Sequence, residues 1–179
     1  MLSVIIATHD SERPLVHTLS ALVPGATTGL VREVIVADGG STDETEKVAD
    51  YAGCVFISSR QTLGARLAAA SSMARGEGLM FLPAGAMPGS SWIDDLIAFV
   101  QRHEGQAAVF SAETRGLVPW ARRLLRALPR AEQGLMIAKP LYASLGGHRA
   151  DAADPERDLL RRIGWSRLTT LRTTIAVNI

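Results

Sequence analysis

The sequence predicts an α/β fold with a mostly parallel, twisted sheet flanked by helices, and two observations support this class. Short apolar runs rich in Val and Ile alternate with stretches of helical periodicity, which is the pattern of βαβ units. The chain is 47% hydrophobic but only 5% aromatic, whereas all-β sandwiches favour aromatic side chains. With 179 residues the chain is long enough to bury a core as one domain.

Each element is predicted from its local pattern. Apolar, β-branched runs indicate buried strands, and apolar residues at helical spacing, often closed by Gly, indicate helices. The predicted strands are Leu2–Ala7, Glu33–Ala37, Cys54–Ser58, Gly78–Leu82, Ala107–Ser111, Gly134–Ala138 and Leu168–Val177. The predicted helices are Leu15–Val23, Glu44–Tyr51, Leu63–Arg75, Ser91–His103, Pro119–Leu128, Pro140–Leu145 and Pro155–Ile163.

Three polar or turn-rich segments directly follow predicted strands. They are Thr8–Ser11, Asp38–Asp43 and Pro83–Pro88, the last of which is predicted to be a loop. Ligands of open parallel sheets bind at the carboxyl ends of the strands. The organisation of the chain therefore predicts one cleft lined by these segments.

The net charge of +1 hides an asymmetry along the chain. Residues 1–111 carry 7 basic and 12 acidic residues, and residues 112–179 carry 12 basic and 6 acidic ones. The basic part fits contact with phosphates or anionic lipid, and also an ordinary mixed surface. We expect no nucleic-acid partner, because no aromatic platform or recognition motif accompanies the arginines.

The single cysteine, Cys54, excludes an intrachain disulfide and lies in an apolar run, where a buried hydrophobic role is expected. Neither a secretory signal nor a run of about 20 apolar residues is found. The expected location is the cytoplasm, with possible peripheral attachment to the inner face of the membrane.

Five segments, in order, resemble the family 2 glycosyltransferases with the GT-A fold. The most specific is EVIVADGGSTDET at residues 33–45, which resembles the second strand and the Asp-Gly-Ser-Thr-Asp turn of that family. The others are VIIATHD at 4–10, ARGEGLMFL at 74–82, EQGLMIAKPLYASLGG at 132–147 and DPERDLLRRIG at 154–164. The resemblance implies a single GT-A domain over 1–179, with a nucleotide-binding half (1–111) and an acceptor-side half (112–179).

The resemblance also implies a donor site for a nucleoside-diphosphate sugar. Asp38 is its first candidate, since a carboxylate at a strand end can accept hydrogen bonds from a base or ribose. A turn-stabilising aspartate is the alternative for Asp38, and a solvated side chain is the alternative for His9 and Arg66. The full set of implied donor-site residues is Thr8, His9, Asp10, Asp38, Gly39, Arg66 and Ala84. Asp43 is expected instead to stabilise a helix start.

The metal motif of the family is missing. Relatives place an Asp-X-Asp motif after the fourth strand to bind Mg²⁺ or Mn²⁺, but this sequence has Pro83-Ala84-Gly85 there. Asp94 and Asp95 lie downstream and are expected on a helix surface. A metal ion remains possible, held without the usual Asp ligands, and no metal-ligating residue is predicted.

Asp154 is the candidate general base, because inverting transfer needs a carboxylate to remove the acceptor hydroxyl proton. The alternative is a helix cap, since Asp154 precedes Pro155, and Asp151 or Glu156 could replace it as the base. Ala153 stands where the family has a second acid. Glu132 and Gln133 are expected on the acceptor side.

A basic amphipathic helix is predicted around Trp120, Arg122, Arg123 and Arg126. Such a face can lie on an anionic bilayer or pack on its own domain. Two functions are therefore consistent with the sequence. The first is an inverting glycosyltransferase with a hydroxyl acceptor, a lipid-linked acceptor being one option. The second is a non-catalytic GT-A domain that binds a nucleotide or a partner.

Overall fold

The protein is described by a computed structural model that covers residues 1–102, 105–112 and 131–178. Its strands are β1 (Leu2–Thr8), β2 (Val31–Asp38), β3 (Val55–Ser58), β4 (Gly78–Pro83), β5 (Ala86–Pro88), β6 (Ala107–Ala112), β7 (Leu135–Ala138) and β8 (Leu168–Val177). Its helices are α1 (Glu12–Thr27), α2 (Thr45–Tyr51), α3 (Leu63–Met73), α4 (Trp92–Arg102), α5 (Lys139–Ser144) and α6 (Pro155–Ile163). Short 3₁₀ turns cover Ala131–Gln133 and Trp165–Arg167.

The eight strands form one sheet in the order β3-β2-β1-β4-β7-β6-β8-β5. Within the described part of the chain, the pairs β1–β2, β1–β4, β2–β3 and β6–β8 are parallel, and the other three pairs are antiparallel. The α/β class is therefore confirmed. The carboxyl ends of β1, β2, β3 and β4 meet at one edge, which is the edge where the sequence predicts the cleft.

The helices cover both faces of the sheet. Alternation along β1 sends Val4 and Ile6 to one face and Ile5 to the other, and all three are fully buried. Helices α1, α2 and α4 pack on the face of Val4 and Ile6. Helices α3, α5 and α6 pack on the face of Ile5. Because β1 is buried on both sides, it is an apolar run and not an alternating one.

Two predicted boundaries are wrong. Residues 83–88 are not only a loop, because Ala86–Pro88 form the edge strand β5 against Ile175–Val177 of β8. Helix α1 is also longer than predicted and continues through Pro24 to Thr27. The proline lies in the last turn of the helix, between the buried residues Leu22 and Gly25.

The predicted helix at 119–128, with Trp120 and its arginines, lies outside the described residues. In the ranges that are described, no helix is both long enough and apolar enough to cross a bilayer.

Candidate functional site

The carboxylate of Asp38 lies at the carboxyl end of β2, in register between Thr8 of β1 and Ser58 of β3. The Thr8 hydroxyl donates to Oδ1 at 2.9 Å, and the Ser58 hydroxyl donates to Oδ2 at 2.9 Å. The backbone N–H groups of Gly40 and Ser41 each donate to Oδ2 at 2.8 Å, and the Ser41 hydroxyl donates to Oδ1. Asp38 therefore closes the Asp-Gly-Gly-Ser turn and joins three strand ends.

The ionisation of Asp38 follows from these contacts. The side chain is only 1% exposed, and burial by itself would raise its pKa. The hydrogen bonds from Ser41, Gly40 and Thr8 outweigh burial and lower the pKa to about 2. The turn-stabilising role of Asp38 is thus present in the fold, and its contact with a nucleotide stays a prediction.

Arg66 lies across the ends of β1 and β2. Its Nη1 donates to the carbonyl oxygens of Thr8 at 3.1 Å and Ala37 at 2.8 Å. Burial lowers its pKa, and the Asp38 carboxylate opposes that shift. A Cβ on Gly39 would stand 3.0 Å from this Nη1 and 3.1 Å from Nδ1 of His9, so the glycine leaves room for both side chains. The structure thus brings Thr8, Asp38, Gly39 and Arg66 together.

The first loop is tied to the turn after β2. The Asp10 N–H donates to the Ser41 hydroxyl at 2.8 Å, and Asp10 Oδ1 accepts from the Thr42 N–H at 2.7 Å. Asp10 adopts a left-handed backbone conformation with φ 46° to make these contacts. His9 is exposed beside it, with Nε2 3.9 Å from Asp10 Oδ2. His9 and Asp10 therefore line the mouth of the cluster.

Asp43 stabilises the starts of two helices. Its Oδ1 accepts from the Thr45 N–H at 3.0 Å at the start of α2, and its Oδ2 accepts from the Glu12 N–H at 3.0 Å at the start of α1. The helix-start role expected for Asp43 is confirmed, and α1 and α2 are fixed beside the cleft.

The position of the missing metal motif is closed by the C-terminal strand. Gly85 has φ 88°, its N–H donates to the Pro14 carbonyl at 3.0 Å, and its carbonyl accepts from the Asn178 N–H at 2.9 Å. A Cβ at position 85 would overlap the carbonyl oxygen of Asn178. Pro83 and Ala84 offer no side-chain ligand, and Ala84 packs against the core. The residues at this position therefore do not fit Mg²⁺ or Mn²⁺.

The downstream acids do not replace the motif. Asp95 was expected on a helix surface, which is wrong: its Oδ2 accepts from the Thr173 N–H at 2.7 Å and from the Thr173 hydroxyl at 2.6 Å. Asp94 is exposed in the first turn of α4, as expected. Among the described residues, no group of three or more His, Cys, Asp or Glu side chains could hold a metal ion.

The start of α6 carries two acids in different surroundings. Asp154 is the exposed N-cap, and its Oδ1 accepts from the Arg157 N–H at 2.9 Å. Glu156 is the second residue of the helix and is largely buried. Burial, with the Asp154 carboxylate adding to it, raises the pKa of Glu156 to about 7. A carboxylate with a pKa near neutrality is suited to accept a proton during turnover.

The loop before α6 packs on the start of α3, the helix that carries Arg66. The Thr62 hydroxyl donates to the Ala150 carbonyl at 2.8 Å. Gly64 contacts the backbone of Arg149 so closely that a Cβ would overlap its carbonyl oxygen. The start of α6 is therefore placed at the same edge of the sheet as Asp38.

Glu132 and Gln133 lie on the 3₁₀ turn that precedes β7. Gln133 Nε2 donates to the Phe110 carbonyl at 2.8 Å, and Glu132 is exposed. Because β7 is antiparallel to β4, this turn also lies at the cleft edge, beyond the end of β4. An acceptor-side role for the pair stays a prediction.

Three features were not predicted from the sequence. Ser58 holds Asp38, and the register Asp38↔Ser58 follows only once β3 is known to neighbour β2. The Arg60 stem lies over Gly40, 3.1 Å from where a Cβ would stand. The partial burial of Glu156 depends on tertiary packing and has no local signal.

Comparison with known proteins agrees with this geometry. The model of the family described as glycosyl transferase family 2 matches residues 3–156. No curated protein sequence matches the chain.

Solved structures give the same fold. Glucosyl-3-phosphoglycerate synthase from Mycobacterium tuberculosis, in complex with Mn²⁺, UDP and glucosyl-3-phosphoglycerate, is similar with a TM-score of 0.74 at 24% identity. The similarity covers 100% of this chain and 72% of that one. S. aureus TarS 1-349 is similar with a TM-score of 0.77 at 17% identity, over 97% of this chain and 59% of that chain. The chain therefore belongs to glycosyl transferase family 2 and has the GT-A fold.

Proposed function

We propose that the protein transfers a sugar from a nucleoside-diphosphate donor to a hydroxyl acceptor with inversion. The main support for this proposal is that Thr8, Asp38, Gly39 and Arg66 lie together at the ends of β1 and β2. The acids of α6 lie at the same edge of the sheet. The M. tuberculosis synthase structures contain UDP or UDP-glucose, so a UDP-sugar is the first donor to test.

In this proposal the nucleoside lies over the turn that Asp38 closes. Asp38 keeps the turn rigid and offers a negative charge to a base N–H or ribose hydroxyl. Thr8, His9 and Asp10 contact the nucleoside from the first loop, and the diphosphate extends past Arg66 toward Ala84. A turn that is already held by hydrogen bonds loses little conformational entropy when the nucleotide binds, and this favours affinity.

The proposed base is Glu156, with Asp154 as the alternative. The base removes the proton of the acceptor hydroxyl while that oxygen attacks the anomeric carbon. The bond from the anomeric carbon to the diphosphate oxygen breaks, and its electron pair leaves with the nucleoside diphosphate. Glu156 is favoured because its pKa is about 7, whereas Asp154 is exposed and occupied as a cap.

The charge of the leaving diphosphate needs compensation from the protein in the absence of metal ligands. Arg66 and Arg149 are the proposed cations. Fixed cations aimed at developing negative charge stabilise a transition state by electrostatic preorganisation. Arg66 is held by two backbone carbonyls, and Arg149 lies on the loop that packs against the start of α3.

Two finer points belong to the same proposal. Residues 1–111 supply the donor half and residues 112–179 the acceptor half. A lipid-linked acceptor is the alternative to a water-soluble one, and it would require a peripheral contact with the inner face of the membrane through the segment with Trp120, Arg122, Arg123 and Arg126.

A second candidate function is nucleotide binding without turnover. The closed backbone around Gly85, which leaves no room for a metal-ligating side chain, favours it. Calorimetric titration with UDP, GDP, TDP and CDP, followed by a transfer or hydrolysis assay with the matching sugar donors, separates the two functions. Binding with turnover supports the transferase, binding alone supports the second function, and no binding contradicts both.

A further inference from the structure

The edge of the sheet opposite the candidate site is basic. Strands β1, β2, β4, β6 and β8 begin there, and α3, α4 and α6 end there. Among the described residues, the cations at this edge are Arg32, Arg75, Arg102, Lys139, Arg161, Arg162 and Arg167. Arg75 is paired with Glu33 and Arg162 with Asp158, and the other acids at this edge are Asp50 and Glu77. The cleft edge is rich in acidic side chains instead, with acids in the first turns of α1, α2, α4 and α6. The fold is therefore electrostatically polarised along the strands.

One end of this edge combines free arginines with an exposed aromatic side chain. Arg102, Arg161 and Arg167 are exposed, and none of them forms an ion pair or side-chain hydrogen bond with another described residue. Trp165 is 53% exposed on the turn after α6. We name these four residues the basic edge.

The topology places the members of the basic edge together. Leu168, which follows Arg167, pairs with Ala107, the first residue of β6, and α4 with Arg102 ends just before β6. Arg161 lies in the last turn of α6, four residues before Trp165. A turn at Gly164, with φ 74°, directs the chain from α6 into the segment that carries Trp165.

We infer that the basic edge docks on the surface of an anionic lipid bilayer. Tryptophan is favoured at the headgroup level because its ring is amphipathic. Arginines close to an anionic bilayer each add about 1 kcal/mol to the attraction. Single-stranded nucleic acid is a poorer fit, since it needs several aromatic platforms along a groove and the edge offers one.

Docking at this edge has a consequence for the acceptor, which rests on the proposed function. Strand β1 has seven residues, so the candidate site lies about 20 Å from the basic edge at the usual rise per residue. The cleft then opens away from the bilayer. The acceptor hydroxyl is reached from the aqueous side and belongs to a water-soluble molecule.

The test is co-sedimentation of the full chain with vesicles of equal parts phosphatidylcholine and phosphatidylglycerol, and with phosphatidylcholine alone. We expect binding to the anionic vesicles only, weakened by added salt and accompanied by a blue shift of tryptophan emission. The double variant Arg161→Gln/Arg167→Gln is expected to weaken binding about 25-fold, a factor of about 5 for each charge. Trp165→Ala is expected to weaken binding and remove the blue shift.

The matched control is Arg13→Gln/Arg157→Gln, which removes two exposed arginines from the cleft edge and changes the net charge equally. It is expected to bind vesicles like the parent. Thermal unfolding of each variant checks that the fold is retained.

Three results would overturn the inference. They are a parent that ignores anionic vesicles, a control that loses as much binding as Arg161→Gln/Arg167→Gln, and binding that depends instead on Arg122 and Arg126. Competition by single-stranded RNA at the same arginines, without vesicle binding, would assign the edge to nucleic acid. Vesicle binding needs no nucleotide, so its failure is distinguishable from failure of the proposed function.

Discussion

The carbonyl oxygen of Asn178 occupies the space that a side chain on Gly85 would need. The two residues are joined by the Asn178 N–H to Gly85 carbonyl hydrogen bond of 2.9 Å. The sequence resemblance places the metal-binding motif of the family in this loop, whereas here the last strand of the fold holds the loop backbone. The missing acid is therefore accompanied by a backbone arrangement that excludes its return at position 85.

The first prediction concerns this contact. Gly85→Ala is expected to lower the free energy of unfolding by about 3 kcal/mol or more, because it combines a left-handed backbone with a steric overlap. Gly29→Ala is the matched control, since Gly29 has φ 73° but no atom within 4 Å of its Cβ position. It is expected to cost about 1–2 kcal/mol, the backbone contribution alone. If urea denaturation gives the same loss of unfolding free energy for both variants, the contact between position 85 and Asn178 does not contribute to it.

The second prediction concerns acid stability. Because the pKa of Asp38 is lowered from 3.8 to about 2, its ionised form stabilises the fold above pH 3.8, and this contribution is lost as the pH falls through 2. Asp38→Asn is expected to remove about 2–4 kcal/mol of stability at pH 7 and less at low pH, since an amide cannot accept all five hydrogen bonds. Asp50→Asn, at an exposed site, is the control and should leave both values unchanged. A stability difference between Asp38→Asn and the parent that is the same at pH 7 and pH 2 would contradict the lowered pKa of Asp38.

The third prediction concerns nucleotide affinity. In the folded Asp38→Asn protein, UDP binding is expected to weaken by about 1–3 kcal/mol, the range for a charge-assisted hydrogen bond. Calorimetry on a preparation with native circular dichroism measures this value. Unchanged affinity would restrict Asp38 to the turn and leave donor binding to Thr8, His9, Asp10 and Arg66.

The fourth prediction separates the two acids of α6. The rate of transfer is expected to rise with pH through about 7, the pKa of Glu156, because a base must be deprotonated. Glu156→Gln should lower the rate by about 10²–10⁴. Asp154→Asn should retain the rate, since asparagine caps a helix about as well as aspartate.

Stability gives a second readout for the same variants. The pKa of Glu156 is raised from 4.5 to about 7, so its protonated form contributes to the free energy of unfolding. This contribution is complete below pH 4.5 and is lost as the pH rises through 7. Glu156→Gln should therefore be more stable than the parent above pH 7, by about 1–3 kcal/mol, and equal to it near pH 4. The reverse pattern, in which Asp154→Asn loses activity and Glu156→Gln does not, would make Asp154 the base.

Local sequence patterns predict part of this structure, but not the contacts between residues far apart in the chain. The first four strands and the position of Asp38 could be predicted, because buried parallel strands are continuous apolar runs and their polar ends meet at one edge. Strand β5 could not, since three residues at Ala86–Pro88 become a strand only through pairing with β8, about 90 residues later. The contact of Asp95 with Thr173, 78 residues apart in the chain, could not be predicted for the same reason.

Some features of the candidate site could likewise be predicted from the sequence, and others depend on tertiary packing. Asp38 and Arg66 follow from a motif and a resemblance, and three of the five hydrogen bonds to Asp38 come from Gly40 and Ser41 of the same turn. The other two come from Thr8 and Ser58 on the neighbouring strands and depend on the strand order. Glu156 stands in a sequence of charged residues, and only the packing of α6 shows that it is largely buried and Asp154 is exposed.

The central claim is that donor binding here does not use a metal ion held by the loop after β4. Calorimetric titration with UDP, once with EDTA and once with excess Mn²⁺, tests it most directly. Affinities that agree within about threefold, less than 1 kcal/mol, are the expected result. A tightening of about tenfold or more by Mn²⁺, abolished by replacing one acid of the chain, would contradict the claim and identify the missing ligand.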